Sequence, residues 1–164
     1  MSATPERTRI GQESVWDYPR PPRLESVSEL LMVVFAGKVI AQTRQGYRVL
    51  ETSHPPVYYF PRADVVEEFI VRASGSTYCE FKGRAEYWSI DVDGTRTDRA
   101  AWSYPDPALA FVEIADHLAF YASKVDACWV GDERVKPQDG NFYGGWITER
   151  IVGPFKGGPG TQGW

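Results

Sequence analysis

Glu51 and His54 are the first residues of this chain with the means to do chemistry. Glu51 closes a strand-like stretch, and His54 falls in the turn that follows, Thr52-Ser-His-Pro-Pro56, so both can reach one rim. A carboxylate beside an imidazole orients the ring and raises its pKa, which would make an acid–base pair tuned near neutrality. The plainer reading is an exposed turn histidine and a glutamate paired with arginine. Arg48, Arg84 and Arg99 are available for that role or for an anionic ligand. Cys79 and Lys82 form a second pair, three positions apart at a strand end. A nearby ammonium would lower the thiol pKa and make Cys79 a nucleophile, although free cysteine more often packs as a small hydrophobe. On a regular strand the two would face opposite ways. Lys82, between Phe81 and Gly83, could be partly desolvated and act as a base or carbonyl-binding amine, with a solvated surface lysine as the alternative.

The aromatic residues make a third constellation: Tyr58, Tyr59, Trp88, Trp102 and Tyr104, with Tyr47 near them. Any one of these rings is more readily explained by core packing. As a set in a small domain with little core to fill, they favour a pocket for a flat or cationic ligand. Gly75-Ser76 and Asp91-Val-Asp93 have the letters of a phosphate turn followed by a magnesium-binding pair. Their spacing is long, however, and Asp93-Gly94 is already explained as a hairpin turn.

Those residues need strands to position them. Leu31 to Phe35, Val39 to Gln42, Arg44 to Glu51 and Val57 to Phe60 read as successive strands, with Gly37-Lys38 as the first turn. Thr77 to Phe81, Arg84 to Val92 and Thr95 to Tyr104 read as a hairpin system closed by Asp93-Gly94. Within it, Trp88, Ile90 and Val92 fall on one face and Tyr87 and Ser89 on the other. Leu118 to Tyr121 and Val125 to Val130 follow, the latter ending at Gly131-Asp132. Two short helices are expected: one opened by Pro61, with Val65, Val66, Phe69 and Ile70 on a face, and one over Ala108 to Ala115. Residues 1–30 read as an N-terminal arm, 31–130 as the core β domain, and 131–164 as a Gly-, Pro- and aromatic-rich tail that docks on it. Trp16 and Tyr18 on the arm, and Trp164 at the end of the tail, need surfaces to bury against.

A length of 164 residues suits one domain. Its 43% hydrophobic and 24% charged residues exclude a disordered or fibrous chain. A net charge of −4 gives no general nucleic-acid surface. The N-terminal residues lack the apolar core of a signal peptide, and Leu30 to Ala36 is too short to cross a bilayer. The expectation is therefore a cytoplasmic protein with Cys79 and Cys128 reduced and no membrane partner. With two Cys, two His and no pairing motif, no zinc site and no cofactor are expected.

Arg48-Val-Leu-Glu-Thr52, Pro55-Pro-Val-Tyr-Tyr-Phe-Pro61, Asp64-Val65, Cys79-Glu-Phe-Lys-Gly83, Tyr87-Trp88 and Ala100-Ala-Trp-Ser-Tyr-Pro105 occur together in this order. With them, the stretch from Leu31 to Val130 resembles domain-of-unknown-function family 427 (DUF427), sometimes labelled nucleotidyltransferase-like. Ser14-Val-Trp-Asp-Tyr-Pro-Arg-Pro-Pro22 and the segments Gly144 to Ile147 and Gly153 to Thr161 resemble its extended members. Glu80 departs from the family, whose members commonly carry proline there. The resemblance implies a mainly β fold, α+β with two short helices, built from compact curved antiparallel sheets of the β-tent kind. Relatives in that group often hold zinc through two Cys-x-x-Cys pairs, which this sequence lacks, so the metal does not carry over. What the likeness implies for function is a concave, aromatic-lined sheet face.

The resulting expectation is a small-molecule site with Glu51, His54, Cys79 and Lys82 as candidate catalytic residues. Tyr58, Tyr59, Trp88, Trp102, Tyr104 and Arg48 are the candidate ligand contacts. Its chemistry would be metal-free acid–base chemistry of the hydrolase, isomerase or lyase type. A non-catalytic peptide-binding module, with the arms as a homodimer contact, and a nucleotide-binding site are the alternatives.

Overall fold

The computed structural model describes residues 3–140 and 142–164; Met1, Ser2 and Asn141, which fall in the expected arm and tail, lie outside the described residues. The chain is mainly β, 46% strand and 11% helical. In chain order the strands are β1 (Glu13–Ser14), β2 (Arg23–Val27), β3 (Leu31–Phe35), β4 (Lys38–Thr43), β5 (Gly46–Leu50) and β6 (Val57–Tyr59). Then come the long strands β7 (Ile70–Cys79), β8 (Gly83–Val92) and β9 (Thr95–Ser103). The chain finishes with β10 (Ala119–Phe120), β11 (Ala127–Val130), β12 (Glu133–Arg134), β13 (Lys136–Pro137), β14 (Trp146–Ile147) and β15 (Ile151–Val152).

Three antiparallel sheets carry the architecture. Their strand orders are β10-β9-β8-β7, β12-β11-β3-β4 and β2-β5-β6. The β8–β9 turn has Asp93 and Gly94 both in the left-handed region, at φ 51° and 93°. That is the geometry a two-residue hairpin needs to match strand twist, and the reason Asp-Gly suits it. The expected helices are short 3₁₀ turns. After Pro61 the chain makes two of them, Arg62–Asp64 and Glu67–Phe69, because Val65 leaves helical geometry to bridge Ala41. Leu109–Ile114 is likewise 3₁₀ and kinked at Phe111. Among the described residues, no helix is long and apolar enough to cross a membrane.

Strand alternation divides the interior into two large clusters on opposite faces of the β7–β10 sheet. The first gathers Leu31, Val33, Ile40, Phe60, Ile90, Leu118, Phe120 and Trp146. The second gathers Val49, Tyr59, Tyr87, Trp102, Tyr104, Phe111, Ile114 and Tyr121. A third, smaller cluster joins Val15 and Tyr18 of the arm to Leu50 and Ile151.

Arm and tail are more integral than the sequence division suggests. Arg23–Val27, inside the expected arm, is strand β2 and pairs along its whole length with β5. Trp146, inside the expected tail, is 1% exposed and donates its indole N–H to the Phe120 carbonyl at 3.0 Å. The two ends also hold each other. Strand β1 runs parallel to β15, and Trp16 donates to the Pro154 carbonyl at 2.9 Å. Trp16 also meets the ring of Trp164 edge-on at 5.5 Å.

Candidate functional site

A cleft of about 410 Å³ opens over the second cluster. Its walls come from the ends of β5 and β7, the β7–β8 turn, the inward face of β8 and β9, and the chain from Phe142 to Gly144 with Lys156 and Trp164. Period-two geometry decides which side chains reach it. On β5, Val49 points in, and Glu51 just past the strand follows it. On β6 it is Val57 and Tyr59, and on β9 Trp102 and Tyr104 continues the same face.

Seven of the ten singled-out residues therefore line one cleft: Glu51, His54, Tyr59, Cys79, Lys82, Trp102 and Tyr104. Cys79 and Lys82 do so together because β7 ends at Cys79 and the turn, with Gly83 at φ 113°, resets the alternation. The other three face elsewhere. Tyr58 is one residue out of step with Tyr59 and packs in the first cluster, 5.2 Å from the Trp146 ring. Arg48 is out of step with Val49 and spans Glu13 and Glu25 at 3.0 and 2.7 Å. Trp88 pairs with Ala101 rather than Trp102, so it turns to the opposite face. There its indole donates to Ser103 at 2.9 Å, with the Arg62 guanidinium 4.5 Å over its ring.

His54 is 7% exposed, and its environment reverses the expectation of a ring tuned near neutrality. Burial, reinforced by the positive charges of Lys156, Arg20 and Lys82, brings its pKa down to about 3. Glu51 lies 3.6 Å from Nε2 and pulls the other way, but Arg20 already holds that carboxylate at 3.4 Å. His54 is thus neutral at physiological pH. Its tautomer follows from Gln138. The Gln138 carbonyl oxygen accepts from the Gly145 amide at 3.0 Å, which leaves its NH₂ to donate to the Lys156 carbonyl at 2.6 Å. The same NH₂ lies 3.4 Å from His54 Nδ1. Nδ1 is then the acceptor, and Nε2 carries the proton toward Glu51.

Lys82 is 9% exposed. Its ammonium lies 5.8 Å from the Tyr104 ring centre and 6.0 Å from that of Phe111. Among the described residues it has neither an ion-pair nor a hydrogen-bond partner. Burial pushes the Tyr59, Tyr104 and Tyr121 phenols well above their usual range, so they stay protonated. Tyr121 donates to the Phe142 carbonyl at 2.9 Å, and its ring sits 4.5 Å from that of Trp102.

Sequence reasoning did not single out Arg20, Tyr121, Gln138, Tyr143 and Lys156 for this site. Tyr143 meets the His54 ring at 4.6 Å, and Lys156 stands 5.5 Å over Tyr143. Arg20 comes from the Pro-rich arm and Tyr121 from the core; for Gln138, Tyr143 and Lys156 the signal was the aromatic content of a Gly-rich tail, which demanded a docking surface without saying which.

The nucleotide-type letters are spent elsewhere. Asp91 accepts from the Gly94 amide at 2.9 Å, and Asp93 pairs with Lys38 at 2.9 Å. Gly75 sits at an irregularity of β7 beside the Arg99 guanidinium. Among the described residues, no three His, Cys, Asp or Glu side chains are grouped to hold a metal ion. Comparison with curated proteins finds no match. The sequence pattern of one family does match, over residues 23–131, which takes in nearly all of the cleft's strand walls, and the chain belongs to that family, the domain of unknown function DUF427 (NTP_transf_9).

Proposed function

We propose that the cleft binds a small organic molecule and that Glu51 exchanges a proton with it, in metal-free acid–base chemistry. The observation that carries this reading is the convergence of a carboxylate, a neutral imidazole and an unpaired ammonium in one ring-lined cleft. Each group has a distinct part. Glu51 is the proton acceptor, held in place by Arg20 at 3.4 Å, with His54 Nε2 3.6 Å away. A neutral His54 offers its Nε2–H as a donor without adding charge. Lys82 is the fixed cation that answers negative charge on the substrate. Isomerisation, elimination and hydrolysis all use these parts. The volume falls within the range of small-molecule sites.

The non-catalytic alternative rests on the mouth of the cleft. Tyr78 and Phe142 are 77% and 60% exposed there, as a surface that grips a peptide would be. A thermal-shift panel of aromatic acids, their amides and esters, nucleotides and peptides separates the two. A small organic at a hundred times its Kd adds about 2.7 kcal/mol of stability and raises the melting temperature. Glu51→Gln should abolish turnover of such a compound while leaving its affinity and the fold intact. If only peptides shift the melting temperature, the enzyme reading falls.

A further inference from the structure

We infer that the ligand of this cleft is a planar aromatic monoanion, its carboxylate on the Lys82 ammonium and its ring among Trp102, Tyr104 and Tyr121. This rests on the small-molecule reading above and narrows it to a chemical class. The starting point is Lys82. Its side chain is mostly buried, yet the ammonium stays open to the cleft, with no anion or acceptor on it among the described residues. The other charged groups at the cleft are paired, hydrogen-bonded or exposed. Arg20 is engaged by Glu51 and donates to the Thr52 carbonyl at 2.9 Å. Lys156 donates to the Trp164 carbonyl oxygen at 3.2 Å. Glu80 is exposed and forms no ion pair with Lys82. His54 is neutral. Lys82 is left as the cleft cation with neither an ion pair nor a hydrogen bond among the described residues.

An ammonium without a partner calls for an anion. A phosphate monoester brings nearly two negative charges and three acceptor oxygens, more than Lys82 alone meets. A carboxylate has two oxygens. Lys82 supplies a donor for one, and the neighbouring Tyr104 hydroxyl, which has no hydrogen-bond partner among the described residues, supplies one for the other. The remaining walls call for a flat apolar body. Trp102, Tyr104 and Tyr121 line this part of the cleft, the Trp102 and Tyr121 rings 4.5 Å apart at a tilt of 45°. Stacking on such faces is favoured for planar rings.

The test is calorimetric titration of the whole chain with 2-naphthoate, with its neutral isostere 2-naphthamide, and with adenosine monophosphate. Naphthoate should bind about 10- to 100-fold more tightly than the amide, the value of a hydrogen bond to a charged group. Lys82→Met should bring the acid down to the amide's affinity and leave the amide unchanged, while Lys82→Arg should retain part of the preference. The acid–amide comparison on the unaltered protein needs no variant, so a misfolded Lys82→Met would not blunt it. Equal binding of acid and amide would overturn the inference and leave the small-molecule reading standing. Tighter binding of the nucleotide than of naphthoate would overturn it in favour of a phosphate ligand. Binding of none of the three would overturn the inference and the reading it rests on together.

Discussion

The buried neutral His54 makes a prediction whose sign and size follow from its surroundings. In the unfolded chain the ring has an ordinary histidine pKa of about 6.5. In the folded chain it is down to about 3, because burial and the charges of Lys156, Arg20 and Lys82 disfavour the imidazolium. The unfolded state therefore binds more protons throughout the interval between those values. Stability is fully present above about pH 6.5 and is lost as pH falls toward 3, at up to about 1.4 kcal/mol per pH unit. Between pH 8 and pH 5 this one ring should cost about 2 kcal/mol. Urea denaturation at pH 5, 6, 7 and 8 measures it, with His54→Gln as the reference that removes the titrating group but keeps a polar side chain. The unaltered protein should lose about 2 kcal/mol more than the variant over that range. In parallel, the His54 ring carbon and proton NMR shifts should stay flat from pH 8 to 5. A ring that titrates near 6.5, or a variant with the same pH slope as the parent, would refute the reasoning. It would mean that Glu51 outweighs the three cations.

Other perturbations follow from packing. A Cβ at Gly144 would run into the Trp102 ring, so Gly144→Ala should cost about 1–3 kcal/mol by overpacking and shift the tryptophan emission. Ser53 combines a left-handed φ of 71° with a fully buried hydroxyl that has no partner. Ser53→Gly removes both penalties, and after the entropy cost of glycine it should stabilise the fold by about 1 kcal/mol in urea titration. Burial pushes the Cys128 thiol up to about 12, whereas Cys79 is half-buried on the cleft. An aromatic disulfide reagent at pH 8 should thus modify one thiol in the native protein and two in urea, with a cleft ligand protecting the first. Rapid modification of both would show that the first core opens readily.

The parity of the site was legible further than residue type alone allowed. The Asp93-Gly94 turn sets the hairpin register, pairing Val92 with Thr95 and Ile90 with Thr97. Continued regularly, that register puts Trp88 opposite Arg99, on the face of Ala101 and Ser103 and away from Trp102. The irregularity in β9 adds two residues before Trp88 meets Ala101. An even insertion preserves the facing, so the two tryptophans could not have shared a pocket in either case. The same reasoning separates Tyr58 from Tyr59 and Arg48 from Val49, since adjacent residues on one strand look opposite ways. Grouping Trp88, Tyr58 and Arg48 with the cleft weighed their chemistry and passed over their parity. The charge state of His54 is a different matter. Glu51, its neighbour in sequence, favours the imidazolium, whereas Lys156 and the Gln138 that sets its tautomer arrive from a segment more than eighty residues away. No local spacing encodes that arrival. The Gly-rich tail reaches the cleft because Trp146 is locked in the first core and Trp16 holds the Pro154 carbonyl. A site whose residues come from one hairpin can be read from alternation, while a site whose electrostatics come from a returning tail requires the fold.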